Sequence, residues 1–286
     1  MSRLYDALRK IEEEGREQSR ESAREPLPSS SKTLLAQSRN SDQLLAVPVL
    51  HARIGPESRI VVSTDPRSPG SERFRLIRMA LRNAAGGKLP KVLLITSPLP
   101  KDGKSTVALN LATSLSEAGK YKILLIGGDL HRPSLLGNLG VEPMGGLSEV
   151  LQGPEEPFAL IRRVEPLEFY LLAAGNAVDH PAEMFQGERF RALLQSLRAC
   201  FDCILIDCPP AFPLSDVIAL KAHADGVLLV ARAGSTPREA VAETIQLFKP
   251  GQVLGLVLNA EEQVNRIYEN YYYSKNGLGK PPRSHD

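Results

Sequence analysis

"KVLLITSPLPKDGKSTVALNLATSLSEAG", residues 91 to 119, decides the fold. A short apolar, β-branched run is followed by a loop rich in Pro, Lys and Gly, and then by a longer stretch with apolar residues at helical spacing. That order reads as a buried strand, a tight loop and a helix. Gly103, Lys104 and Ser105 sit where the loop opens the helix. Backbone N–H groups and the positive end of a helix hold phosphate oxygens, a lysine here reaches the β- and γ-phosphates, and a serine hydroxyl reaches Mg²⁺. Lys101, Asp102, Gly103, Lys104, Ser105 and Thr106 are therefore the candidate nucleotide-binding residues.

The pattern repeats outward from this point. Further short apolar runs stand at 121–127, 167–173, 203–208, 226–232 and 253–259, with helix patterns such as "FRALLQSLRAC" between them. Strands alternating with helices form a parallel sheet covered on both faces, so a doubly wound α/β fold is expected. Ligands of such sheets bind at the carboxyl ends of the strands, which brings 97–106, 127–133 and 207–216 together. "FDCILIDCPP" ends its strand on Asp207, where a carboxylate holds magnesium directly or through water. Asp129 and Arg132 follow the strand "YKILLIG". Asp129 joins Ser105 and Asp207 as a candidate metal-site residue, and Arg132 is placed to pair with a carboxylate or a phosphate.

With 286 residues and a net charge of +2, the chain suits one large domain and offers no signature of nucleic-acid binding. No stretch approaches the roughly 20 apolar residues of a membrane span. "MSRLYDALRKIEEEG" is charged throughout, unlike a signal peptide. A cytoplasmic protein is expected. Cys200, Cys203 and Cys208 read as buried thiols, since an odd count argues against a disulfide framework and no histidine lies nearby to complete a metal site. The expected organisation is a helix over 1–25, a flexible linker over 26–57, the nucleotide-binding domain over 58–262 and a mobile tail over 263–286. The tail carries Tyr268, Tyr271, Tyr272 and Tyr273, four of the seven tyrosines in the chain.

"TSPLPKDGKST", "ILLIGGDLHRP" and "CILIDCPP" resemble the Walker A, Walker A′ and Walker B motifs of the bacterial tyrosine kinases of exopolysaccharide and capsule export, which share a fold with the partition and division-site ATPases. "DPRSPGSERFRLIRMALRN" at 65–83 resembles the segment ahead of the kinases' first core strand, with Glu72, Arg75 and Arg78 matching an E-x-x-R-x-x-R pattern. The resemblance implies a helix that joins subunits into a ring. Residues three and six apart share a helix face, so an acid and two guanidinium groups can meet a neighbouring subunit. Phe74, Ile77 and Leu81 are expected to face the core. The resemblance further implies that the tail tyrosines are phosphorylated between subunits, that Asn259 in "GLVLN" serves the nucleotide, and that ATP and Mg²⁺ are the cofactors. It also implies a separate chain-length-determinant membrane protein whose cytoplasmic tail stimulates the kinase, holding it at the inner membrane.

Three positions depart from that pattern, one of them Pro98 at the usual first position of the phosphate loop, where the missing N–H donor is tolerable outside the phosphate cradle. The first acid of the Walker A′ pair is Gly127 here, leaving Asp129 with Lys104 and Asp207 as the candidate catalytic set. A tyrosine hydroxyl, with an ordinary pKa of about 10, is almost wholly protonated at neutral pH, and a general base typically contributes about 10² to 10⁴-fold. Weakened catalysis with surviving nucleotide binding is expected. Lys101 stands where these kinases commonly have glycine, and if its φ is positive it costs roughly 1–2 kcal/mol relative to glycine. The primary reading is a tyrosine autokinase. A partition- or division-type ATPase and a non-catalytic nucleotide-dependent scaffold remain the alternatives.

Overall fold

The computed structural model describes residues 44 to 260 except Leu45, Glu57, Pro213 and Leu214. The helix expected over 1–25 and the tyrosine tail lie outside those residues. The chain divides into two units between Gln43 and Leu44, and every element described below belongs to the second.

Strands β1 (Val49–His51), β2 (Val92–Thr96), β3 (Ile123–Gly127), β4 (Arg162–Glu165), β5 (Phe169–Leu172), β6 (Cys203–Asp207), β7 (Gly226–Arg232) and β8 (Val253–Asn259) form, among the described residues, one eight-stranded sheet. Its order is β1-β4-β5-β3-β6-β2-β7-β8, and every pair is parallel except β4 with β5. The fold is thus the doubly wound, mostly parallel α/β type. The linker read over 26–57 needs correction: β1 lies inside it and pairs with β4, and Leu44 and Val47 are buried, so the compact unit begins at Leu44. The physical reason is that a three-residue edge strand gains its stability from the ladder beside it and leaves almost no pattern in the sequence.

Helices α1 (Val61–Thr64), α2 (Pro69–Ala84), α3 (Lys104–Ser116), α4 (Leu135–Asn138), α5 (Leu147–Gln152), α6 (Pro157–Leu160), α7 (Pro181–Gln186), α8 (Glu188–Cys200), α9 (Asp216–Leu220) and α10 (Arg238–Gln246) connect the strands. The period of two in the strands sorts their side chains into two cores. Leu94, Leu124, Ile126, Ile204 and Ile206 point to one face, where Phe190, Leu193, Leu194 and Leu197 of α8 cover them. Leu93, Ile95, Ile123, Leu125 and Leu205 point to the other, beneath Val107, Leu111 and Leu115 of α3. Each such Leu or Ile contributes about 1.5–3 kcal/mol on burial. Because both faces are covered, β2, β3 and β6 are buried at every position, which explains their unbroken apolar runs.

Helix α2 starts where its sequence dictates. Ser68 caps it by accepting the Ser71 N–H at 3.2 Å, Pro69 occupies the first turn, and Glu72 and Arg82 complement the helix dipole at its two ends. Leu81 is buried in the second core, with Phe74 and Ile77 packed against it.

Candidate nucleotide and metal site

Parallel register aligns the carboxyl ends of the central strands. Asp207 at the end of β6 stands opposite Ile95 of β2 on one side and Gly127 of β3 on the other. The phosphate loop leaves β2 here and enters α3 at Gly103, whose φ of +95° and close neighbour exclude a side chain: a Cβ would lie 2.1 Å from the Asn259 amide nitrogen.

Lys104 reaches across this floor. Its Nζ lies 3.1 Å from Asp129 Oδ2 and 3.9 Å from Asp207 Oδ1, with the Ser105 hydroxyl at 3.4 Å. Burial alone would depress the ammonium's pKa, but the charges of Asp207 and Asp129 more than offset this, and it ends above its ordinary value. Asp207 behaves oppositely. Its burial lifts the carboxyl to about 6, against Lys104 and the Ser105 hydroxyl, which favour the ionised form, while Asp129 adds to the rise. Asp207 Oδ1 is buried without a hydrogen-bond partner among the described residues. An orphaned carboxylate oxygen beside a loop serine is an incomplete oxygen donor set of the kind Mg²⁺ takes, so the residues fit that ion.

Asp129 is committed at both oxygens, Oδ2 to Lys104 and Oδ1 to the Arg132 N–H at 3.0 Å. The Arg132 side chain is exposed and lines a cleft of about 1920 Å³ together with Lys101, Thr106, Arg232 and Asn259. Lys101 does adopt a left-handed backbone, φ +68°. Its strain is therefore real, and its exposed side chain lines the same cleft.

Asp102 and Asn259, which also line the cleft, make hydrogen bonds within and to the loop itself. The buried Asp102 carboxylate accepts the Leu99 N–H at 3.0 Å and the Thr236 hydroxyl at 2.7 Å, while Asn259 Nδ2 donates to the Asp102 carbonyl at 2.9 Å. Both side chains brace the loop. Thr236 had no sequence signal, being one hydroxyl in a polar turn. Ser134, which donates to the Ser105 hydroxyl at 3.0 Å, had none either. His131 Nε2 stands 3.1 Å from the buried Asp216, whose carboxyl burial pushes up against the pull of His131.

Gly127 is explained by space. A Cβ there would lie 2.7 Å from the Ala174 main-chain nitrogen and 3.1 Å from its Cβ. No side chain of any kind fits without moving that loop.

The three helix residues read as a subunit contact separate. Glu72 and Arg75 are about half exposed and pair with each other at 2.6 Å, with Arg75 also donating to the Pro66 carbonyl. Arg78 turns inward instead, donating to the Ser114 carbonyl at 2.9 Å and pairing with Glu117 at 3.2 Å, where it caps the end of α3. Tyr268, Tyr271, Tyr272 and Tyr273 lie outside the described residues. Cys200, Cys203 and Cys208 are buried free thiols, and burial pushes Cys203 up to about 12. Among the described residues no helix is long and apolar enough to cross a membrane.

No family model matches the chain. It is similar to the tyrosine-protein kinase YwqD of Bacillus subtilis, 29% identical over 224 residues that cover 78% of this chain and 94% of that protein. It is also similar to the succinoglycan biosynthesis transport protein ExoP of Rhizobium meliloti, 33% identical over 207 residues, which are 71% of this chain but 26% of that longer protein. Among solved structures, the kinase domain of VpsO superposes with a TM-score of 0.60 at 30% identity, covering 68% of this chain and all of that domain. With a complete kinase domain matched, and with the phosphate loop, Asp129 and Asp207 gathered at the carboxyl ends of a doubly wound sheet, the chain belongs to the bacterial tyrosine kinase family.

Proposed function

We propose that the chain is an ATP- and Mg²⁺-dependent protein-tyrosine autokinase acting in exopolysaccharide production, with its own tail tyrosines as acceptors and its turnover reduced by Gly127. The observation that carries this reading is Lys104 suspended between Asp129 and Asp207 at the mouth of the phosphate loop, beside an orphaned Asp207 oxygen. Lys101 to Thr106 hold the triphosphate, and Ser105 and Asp207 hold Mg²⁺. When bound, that ion neutralises charge on the phosphoryl oxygens.

The rest follows from the chain's own groups. Without nucleotide, Lys104 is the counter-ion of both carboxylates. As it turns to the β- and γ-phosphates, Asp129 Oδ2 is released and becomes the acid available to orient or deprotonate an incoming tyrosine hydroxyl. Its other oxygen stays anchored by the Arg132 N–H. One anchored carboxylate in place of two leaves positioning and charge stabilisation as the main sources of rate. Subunit contact is assigned to Glu72 and Arg75, with Arg78 holding α2 against α3 from within. A membrane partner with a stimulatory cytoplasmic tail completes the reading, as the family resemblance implies.

The test is incubation of the purified chain with ATP and Mg²⁺ beside Lys104→Ala, with phosphotyrosine mapped by mass spectrometry. Lys104-dependent modification at Tyr268 or Tyr271 to Tyr273 is expected. An unmodified tail with ATP still bound overturns the kinase reading, and phosphate release would then favour the ATPase. A scaffold is the second reading, favoured by the closed space at Gly127.

A further inference from the structure

A second cavity, of about 360 Å³, lies beside the nucleotide cleft, with Arg59, Thr106 and Asn138 common to both. Its walls are the segment after β1, the first turns of α3 and the end of α4. Arg53 and Arg59 line it, and its polar lining is completed by Ser58, Thr106 and Asn138. No acidic side chain lines it among the described residues.

The backbone that presents the two arginines is fixed. The Arg53 N–H donates to the Leu139 carbonyl at 2.8 Å. Buried Asn110 donates to the Arg59 carbonyl at 2.8 Å and accepts the Val62 N–H at 3.2 Å, pinning the segment to α3. Gly140, at φ +65°, lets the Arg53 segment approach, because a Cβ there would lie 2.9 Å from Arg53 Cβ and from its carbonyl oxygen. Two exposed arginines line one cavity, which concentrates positive charge there, and guanidinium forks match oxyanions in bidentate geometry. Ser58, Thr106 and Asn138, which also line it, can supply further donors, more than the two oxygens of a carboxylate would need. A tetrahedral ligand uses them best.

We infer that the cavity lined by Arg53 and Arg59 is a phosphate-class oxyanion site, next to the phosphate loop and sharing Thr106 with it, that takes inorganic phosphate or the phosphoryl group of a phosphomonoester. The inference does not depend on the chain being a kinase. It requires only that the two arginines share an anion.

The test is titration of the full chain, saturated with AMP-PNP and Mg²⁺, with inorganic phosphate and separately with O-phosphotyrosine, followed by calorimetry. Binding is expected to weaken at least tenfold in Arg53→Ala and in Arg59→Ala, less in the corresponding Lys variants, and to persist in Lys104→Ala. Binding of both probes assigns a phosphomonoester ligand, and binding of phosphate alone assigns the free ion. Either result supports the site. Absence of binding, equal competition by acetate, or loss in Lys104→Ala with both arginine variants unchanged overturns it, the last outcome assigning the anion to the phosphate loop.

Discussion

Replacing Gly127 by alanine adds a single methyl group at the most closely packed point of the site. Its carbon would lie 2.7 Å from the Ala174 nitrogen, well inside normal contact, so the loop would have to move. That loop is held from three sides. Ser148 donates its N–H to the Ala174 carbonyl at 2.9 Å, Leu172 just before it pairs with Ile126, and Glu149 accepts from the Asn176 N–H and side-chain amide at 3.1 and 2.7 Å. Overpacking of this kind costs about 1–3 kcal/mol, offset by roughly 0.4–1 kcal/mol because alanine restricts the unfolded chain. A net loss of about 1–2 kcal/mol lowers the unfolding midpoint of a domain this size by roughly 2–8 °C. Circular dichroism on heating measures it. Ala174→Gly in the same chain removes the 3.1 Å Cβ contact but not the 2.7 Å one, so part of the loss returns. Gly127→Asp costs more, since it also sets a carboxylate beside Asp207 in the sheet register. A Gly127→Ala midpoint equal to or above that of the parent would refute the packing argument.

Other expectations are as direct. Lys101→Gly relieves about 1–2 kcal/mol of left-handed strain, less roughly 0.5–1 kcal/mol of glycine flexibility, so the midpoint rises by a few degrees while calorimetry shows weaker ATP binding. The folded-state pKa of Asp207 is raised, so its burial favours the protonated form. The destabilisation it causes in the nucleotide-free chain is absent well below pH 4 and grows as pH rises towards and through about 6, while Mg²⁺ requires the ionised form and binds about tenfold more weakly at pH 5 than above 6. Denaturant melts and Mg²⁺ titrations across pH 4–8 follow the two effects separately. Thr236→Val leaves one Asp102 oxygen unpaired in a buried position, costing about 1–3 kcal/mol and loosening the phosphate loop, read as faster amide exchange at 99–103. Arg78→Ala should lower the midpoint by releasing α2 from α3, with gel filtration unchanged if Glu72 and Arg75 carry the subunit contact.

The central strands were legible because a sheet covered on both faces needs continuous apolar runs, and β2, β3, β5, β6 and β7 each had one, as did the edge strand β8, although Leu256 and Leu258 there are exposed. β1 and β4 were not. "VLH" is too short to carry a period, and "RRVE" carries three charges because its neighbours at the sheet edge leave it partly open. Lys104, Asp129 and Asp207 could be read from the ends of their strands. Their partners were harder: the phosphate loop rests on Thr236 and Asn259, which lie 134 and 157 residues beyond Asp102; Thr236 had no signal, and Asn259 was named only through the family resemblance, for the nucleotide and not as a brace of the loop. The inward turn of Arg78 was equally hidden, since a helix face seen in sequence shows which residues share it but not which neighbour fills it.

The brace from Asn259 to Asp102 also bears on how the domain comes into being. The loop after the second strand is finished by the last residue of the last described strand, so a chain emerging in order would complete seven strands before its phosphate loop gained this brace. Contacts of such long sequence separation form late. Competence to hold a nucleotide would thus arrive at the close of folding, when β8 docks along β7, and a shortened chain ending even a few residues before Asn259 would keep its sheet yet lose the rigidity of its phosphate cradle.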